Sequence, residues 1–163
     1  MIHIRTVFLG LATAWVLGAC QPALKPFQLP EGMSFQDLVT GQPYDVSSLR
    51  GNLLLLNFWA AWSPASTKEI PELAELAKHY GSKGLVLYGV CLDDAPAAEL
   101  LVFAERQGAR YLLVGPGPTL LDTIQPLETI PYTILIDNEG KIVARFRGPF
   151  KPRDLREAIE KNL

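Results

Sequence analysis

Apolar residues along the chain fall into two patterns, continuous runs typical of buried strands and stripes with helical spacing. The continuous runs predict strands at residues 53–59, 85–92, 111–114, 132–136 and 141–147, with residues 115–118 (Gly-Pro-Gly-Pro) closing the third. The stripes predict helices at residues 67–80, 94–108 and 154–163, with a helical turn at 119–125. Strands and helices alternate until a final hairpin. We therefore predict an α/β fold with a central mixed sheet, helices on both faces, and a C-terminal hairpin and helix.

The first twenty residues differ in pattern from the rest of the chain. Arg5 precedes a mostly apolar run at residues 6–19, which is shorter than the ~20 residues of a membrane-spanning helix but long enough for a signal peptide. The run ends in Leu-Gly-Ala-Cys20, which resembles a bacterial lipobox. This resemblance implies a signal peptide at residues 1–19 and a lipid on Cys20. The protein would then be an anchored lipoprotein of the bacterial cell envelope, facing the periplasm or the outer surface. The alternative is an ordinary apolar segment with an incidental cysteine.

Composition indicates one globular domain after this segment. Of the 163 residues, 48% are apolar and 20% are charged, and the net charge of −2 provides no electrostatic basis for binding nucleic acid. We predict a tether with three prolines at residues 20–30, followed by a single domain at residues 31–163. The chain has two cysteines and two histidines, which excludes a disulfide framework, a four-cysteine zinc site and a multi-histidine metal site. We expect no metal and no cofactor.

One segment carries a family resemblance. Residues 57–66 read Asn-Phe-Trp-Ala-Ala-Trp-Ser-Pro-Ala-Ser and resemble the strand-to-helix junction of thioredoxin-like proteins of the TlpA/ResA type. Supporting matches are residues 49–52 (Leu-Arg-Gly-Asn), residues 69–71 (Glu-Ile-Pro), and Pro131, where the family has a cis-proline. The resemblance implies a thioredoxin-like fold and, as the family activity, thiol–disulfide oxidoreduction. The family has cysteine at the two positions that Ser63 and Ser66 occupy here.

The two serines remove the chemistry that the family site performs. In a CxxC site, a thiolate at a helix N-terminus attacks a disulfide, and the second cysteine resolves the mixed disulfide. A serine hydroxyl performs neither step. Hydrolysis by Ser63 would need an adjacent general base, and His79 falls at the far end of the predicted helix. Two structural roles are open, Ser63 as an N-cap before Pro64, or Ser66 in a capping box with Glu69.

The remaining candidate residues have two interpretations each. The resemblance makes Glu69 an acid beside the family cysteines, whereas the alternative is that it serves only the helix N-terminus. Trp62 and Ser63, together with Ile130 and Pro131, are candidates for a peptide-binding face. Cys91 is either a small buried hydrophobe or a reactive thiol at the carboxyl end of a strand. If Cys20 is lipidated, Cys91 is the only free thiol, and no intramolecular disulfide can form.

Two classes of function follow. The first is a redox-inactive, lipid-anchored, monomeric binding module that holds a protein or peptide partner in the cell envelope. The alternative is a thiol–disulfide oxidoreductase, for example for apocytochrome c, whose serines are engineered replacements or which uses Cys91 alone. A peroxiredoxin-like peroxidase centred on Cys91 lacks a basic neighbour in the sequence. A copper chaperone would have too few soft ligands.

Overall fold

The computed structural model describes residues 34–45, 49, 51–117, 120–124 and 127–163. The predicted signal peptide, Cys20 and the tether lie outside the described residues. The described strands are Ser34–Asp37 (β1), Pro43–Asp45 (β2), Leu53–Trp59 (β3), Leu85–Cys91 (β4), Leu112–Pro116 (β5), Tyr132–Ile136 (β6) and Ile142–Arg147 (β7). The described helices are Pro64–Tyr80 (α1), Ala97–Arg106 (α2), Leu120–Ile124 (α3) and Pro152–Asn162 (α4). None of the helices in this part of the chain is long and apolar enough to cross a membrane.

The seven described strands form one mixed sheet in the order β2-β1-β5-β4-β3-β6-β7. β3, β4 and β5 are parallel neighbours, and α1 and α2 lie in the connections between them. β6 pairs antiparallel with β3, and β7 pairs antiparallel with β6. The carboxyl ends of β3 and β4 therefore lie at the same end of the sheet as the start of β6 and the end of β7. The predicted α/β architecture with its C-terminal hairpin and helix is confirmed.

An N-terminal hairpin was not predicted. β1 pairs antiparallel with β2 on one side and with β5 on the other, which extends β5 through Pro116. The prediction that residues 115–118 close the third strand is therefore wrong, because Gly115 and Pro116 pair with β1. Gly117 lies so close to β1 that a Cβ atom there would be 1.9 Å from the carbonyl oxygen of Ser34.

Each face of the sheet packs its own apolar cluster. On one face, side chains of β3, β4, β6 and β1 pack with Leu120 and Ile124 of α3, and we call this the α3-side cluster. On the other face, Leu73 and Leu76 of α1 pack with Leu155 and Ile159 of α4 against the sheet. β3 is buried along its whole length, as its continuous apolar run predicts.

Candidate functional site

The serine motif lies in the turn between β3 and α1. The Ser63 N–H donates to the carbonyl oxygen of Ala60 at 3.1 Å, and the Ser66 N–H donates to Ser63 Oγ at 3.3 Å. Ser63 is thus the N-cap of α1, with Pro64 as the first helical residue. This cap is why α1 begins three residues before the apolar stripe that predicted it. The capping-box alternative is wrong, because Ser66 lies inside the helix.

Both serine side chains are buried at the N-terminus of α1. Ser63 is 6% exposed and Ser66 is fully buried. Among the described residues, Ser66 Oγ has no hydrogen-bond partner. His79 lies in the last turn of α1, roughly 24 Å along the helix axis from Ser63 at ~1.5 Å per residue, and its ring nitrogen is 3.1 Å from Lys83 Nζ. The only histidine among the described residues therefore cannot act as the base for a serine nucleophile.

Glu69 faces the protein interior from the second turn of α1. One carboxylate oxygen accepts from the Phe150 N–H at 2.8 Å, and the other accepts from Asn57 Nδ2 at 3.3 Å. The Asn57 amide also donates to Thr133 Oγ1 at 2.9 Å, so that α1, β3, β6 and the segment just before α4 share one polar cluster. The interpretation of Glu69 as a helix N-terminal charge is wrong, because its carboxylate points into the molecule.

Burial controls the protonation of this cluster. Loss of solvent raises the pKa of Glu69 from 4.5 to about 7, although the hydrogen bonds from Phe150 and Asn57 favour the carboxylate and offset part of the rise. Burial, together with the negative charge of Glu69, raises the pKa of Tyr111 above its usual range. The Tyr111 hydroxyl and Asn57 Oδ1 have no hydrogen-bond partner within the described part of the chain. Sequence reasoning missed Tyr111 and Thr133, and the only signal was their position at the beginning of strands: Tyr111 immediately precedes β5, and Thr133 is the second residue of β6.

An apolar groove lies beside the serine motif, and we call it the Trp62 groove. It is lined by Trp62, Leu92, Leu127, Glu128, Thr129 and Ile130, with a volume of about 430 Å³. Trp62 is 70% exposed, whereas Trp59, three residues earlier, is fully buried in the core as predicted. Sequence reasoning missed Leu92 and Leu127, which come from two segments separated along the chain. The groove joins Trp62 with Ile130, two of the residues predicted for a peptide-binding face.

The peptide bond before Pro131 is cis, as the resemblance implied. The Pro131 carbonyl accepts from the Gly148 N–H at 2.9 Å, which ties this loop to the end of β7. In the described structure the N–H and C=O groups of Ile130 have no hydrogen-bond partner. Ile130 therefore presents one free backbone donor and one free acceptor at the rim of the Trp62 groove.

Cys91 is separated from this surface by burial. It is 2% exposed, its thiol donates to Asp93 Oδ2 at 3.3 Å, and burial raises the pKa of Cys91 to about 12. The same Asp93 oxygen accepts from the Ala61 N–H at 2.7 Å and so holds the turn that carries Trp62. These contacts favour the interpretation of Cys91 as a buried hydrophobe over a reactive thiol. Asp93 was missed, although its place just after a buried strand was a signal.

The residues that the structure describes contain no group of three or more His, Cys, Asp or Glu side chains that could hold a metal ion. The serine motif, Glu69 and the Trp62 groove form one continuous end of the sheet. Its chemistry consists of buried hydroxyls, one buried acid and an exposed apolar surface. Nothing in this set supplies a thiolate.

Comparison with known proteins identifies the relatives of this chain. A family model described as the AhpC/TSA family matches residues 22–158. The thiol–disulfide oxidoreductase ResA of Geobacillus thermodenitrificans is 27% identical over 120 residues, which cover 74% of this chain and 68% of that protein. ResA of Bacillus subtilis is 30% identical over 114 residues, which cover 66% of this chain and 60% of that protein.

A solved structure shows the fold directly. The thiol:disulfide interchange protein of the thioredoxin family from Chlorobium tepidum superposes with a TM-score of 0.74 at 23% identity, covering 86% of this chain and 98% of that one. At this identity the likeness concerns the fold alone. The thioredoxin-like fold that the residues around Ser63 implied is confirmed.

Proposed function

The chain belongs to the AhpC/TSA family of thioredoxin-like proteins, and we propose that it is a redox-inactive member that binds an extended polypeptide in the Trp62 groove. Its ResA relatives are thiol–disulfide oxidoreductases, whereas this chain carries serine at positions 63 and 66. The observation that carries this proposal is the 70% exposed Trp62 beside a groove whose rim offers the backbone N–H and C=O of Ile130, which have no partner among the described residues. A large exposed aromatic side chain next to a groove is a common feature of binding surfaces.

The loss of redox activity follows from the side chains at the start of α1. The helix N-terminus would stabilise a thiolate at position 63, but the Ser63 hydroxyl stays neutral at physiological pH and forms no disulfide. Cys91 does not replace it, because burial raises its pKa to about 12 and its thiol is held by Asp93. The alternative of an oxidoreductase that uses Cys91 alone therefore has no support in the geometry.

The binding step needs no thiol. An extended segment can pair its backbone with the free N–H and C=O of Ile130 while one apolar side chain packs against Trp62 and Leu127. We further propose that the protein is a monomer anchored by a lipid on Cys20 and acts on a protein or peptide partner in the bacterial cell envelope. The support for this location is the lipobox-like sequence before Cys20, which lies outside the described residues.

The test compares reductase activity and binding in one set of variants. The full chain in detergent micelles should not accelerate the reduction of insulin disulfides, whereas the Ser63→Cys/Ser66→Cys double variant should. Binding is measured by fluorescence anisotropy with a labelled, reduced and alkylated ribonuclease A chain, which is unfolded and has no free thiol. Trp62→Ala should weaken this binding about tenfold or more, in the range of an aromatic hot spot.

Leu112→Ala provides the matched control for binding. Leu112 is 56% exposed, but it lies in β5, two strands away from β3 and level with Leu56 in the middle of that strand, so its loss should leave binding unchanged. Equal losses in the two variants would show non-specific hydrophobic adsorption and refute a groove. Reductase turnover by the natural chain that Cys91→Ser abolishes would refute redox inactivity. Cysteine codons at positions 63 and 66 of the source gene would show that the serines are engineered.

A further inference from the structure

The outermost strand of the sheet and the residues after it carry a concentration of positive charge. Residues 141–153 contain five Lys or Arg residues and no Asp or Glu, although the net charge of the whole chain is −2. All five are exposed; they are Lys141, Arg145, Arg147, Lys151 and Arg153. Within the described sheet, β7 pairs with β6 on one side only, so its other side presents unpaired backbone groups.

Two of these cations lie on the same face of the sheet as the Trp62 groove. Arg147 is directly opposite Tyr132 of β6, and Arg145 is opposite Ile134. Side chains directly opposite each other in an antiparallel pair project to the same face. Tyr132 and Ile134 belong to the α3-side cluster, and Leu92 and Leu127 of the groove pack against that cluster as well. Arg145 and Arg147 therefore continue the surface of the groove by one strand.

Arg147 is also close to the groove, and neither arginine has an ionic partner among the described residues. The Gly148 N–H, next to Arg147, donates to the carbonyl of Pro131, and neighbouring strands lie only ~4.7–4.9 Å apart. Neither Arg145 nor Arg147 forms an ion pair with any residue in the described ranges, whereas Arg153 pairs with Asp154 and Glu157. Their guanidinium groups remain available to an external anion.

Resting on the proposed function above, we propose that the partner segment is acidic as well as apolar. One apolar side chain of the segment occupies the Trp62 groove, and carboxylates at alternating positions of the same segment pair with Arg145 and Arg147 of β7. Alternating residues of an extended segment are ~6.6–6.8 Å apart, which equals the spacing of the two arginines on their own strand. Glu128 lines the groove itself, so the carboxylates lie beyond the groove, over β7, and not inside it.

Three synthetic peptides test this partner chemistry. They share a central leucine and differ only at two alternating positions on each side of it, which hold Asp, Asn or Lys. With the full chain in detergent micelles at low ionic strength, the Asp peptide should bind about three- to tenfold more tightly than the Asn peptide, and the Lys peptide less tightly than both. Added salt should reduce the difference, because the arginines are exposed.

Variants separate the arginines from the groove. Arg145→Gln/Arg147→Gln should bind the Asp and Asn peptides equally while keeping the affinity for the Asn peptide. Lys78→Gln/Lys161→Gln removes the same charge from exposed positions in the last turns of α1 and α4, on the other face of the sheet, and should keep the preference. Trp62→Ala should weaken the binding of all three peptides.

The outcomes that would overturn the inference are distinct. If the peptides bind through Trp62 without a preference for Asp, the groove stands and the acidic partner is refuted. If no peptide binds, the proposed function fails and the inference with it. Aggregation of the arginine variant with an unchanged preference would mean that Arg145 and Arg147 only protect the edge strand. Arginine-dependent binding to mixed phosphatidylglycerol and phosphatidylcholine vesicles, without a peptide preference, would assign them to a membrane surface.

Discussion

The stability of the folded protein should depend on the ionisation of Glu69. Glu69 is 6% exposed, and its carboxyl group has no cation among its hydrogen-bond partners, which are the Phe150 N–H and the Asn57 amide. Tyr111 is the titratable group that interacts electrostatically with Glu69 across the cluster, and it stays neutral throughout this pH range because its pKa lies at or above the ordinary value of a tyrosine. We predict that Glu69→Gln, which keeps the shape and removes the charge, stabilises the protein above neutral pH.

The magnitude follows from the pKa of Glu69. The folded protein holds the proton up to about pH 7, whereas the unfolded chain releases it near 4.5. The protonated form is thus favoured by folding. The contribution of this group to the free energy of unfolding is fully present below pH 4.5 and is lost as the pH rises to about 7. At 1.36 kcal/mol for each pKa unit, ionisation of Glu69 costs about 3 kcal/mol of stability.

The glutamine variant should avoid this cost. Its amide oxygen can accept from the Phe150 N–H, but its NH₂ group replaces the oxygen that now accepts from Asn57 Nδ2. The Asn57 amide must therefore turn over, so that Oδ1, which has no partner within the described structure, accepts from the glutamine NH₂ and from the Thr133 hydroxyl. The assay is urea denaturation from pH 4.5 to 8.5, with the unfolding free energy of the variant compared with that of the natural chain at each pH. The two proteins should be similar near pH 4.5, and the variant should be more stable by about 3 kcal/mol at pH 8.

Glu75→Gln is the control, because Glu75 lies exposed on the same helix. It should reproduce the pH profile of the natural chain. A difference between the natural chain and Glu69→Gln that does not change with pH would refute the reasoning. An advantage of the natural chain that grows as the pH rises would show instead that the two hydrogen bonds to Glu69 outweigh its burial.

Two further predictions concern the packing of β1 and the start of α1. Gly117→Ala should cost about 1–3 kcal/mol of unfolding free energy in the urea assay, because its Cβ would be 1.9 Å from the Ser34 carbonyl oxygen. Gly81→Ala is the control: no atom lies within 4 Å of the added Cβ, so this variant should be neutral or slightly stabilising. Ser63→Ala should lower the free energy of unfolding by about 1 kcal/mol through loss of the N-cap. Ser66→Ala should lower it less, because Ser66 Oγ has no partner to lose among the described residues, and equal losses in the two variants would refute this reasoning.

The strands with continuous apolar runs were predictable from the sequence, and the N-terminal hairpin was not. β3 and β6 occupy the predicted residues, because a strand buried on both faces must be apolar at every position. β1 is short and mixed in pattern, with Phe35 fully buried and Gln36 exposed. It forms because β5 offers an unpaired edge, and a local pattern of four residues contains no information about that distant edge.

The candidate site divides in the same way. Sequence reasoning gave Ser63 as one of two candidates for the start of the helix, because an N-cap residue followed by Pro64 is a local signal, and Trp62 as a candidate for a binding face. It did not predict the direction of Glu69, which depends on a backbone N–H eighty-one residues later, at Phe150. It also did not predict Asp93, whose role requires Ala61 and Cys91 to be neighbours across two strands.

The sequence by itself therefore determined the α/β class, the order of the main strands and helices, and the family to which the chain belongs, because these depend on local periodicity and on short motifs around Ser63 and Pro131. Only the tertiary structure decided which polar groups are buried together and which surfaces are continuous. Burial sets the pKa of Glu69 and of Cys91, and burial is a property of the packed chain. The neighbourhood of Trp62 and Arg147 likewise exists only because β3, β6 and β7 lie side by side in the sheet.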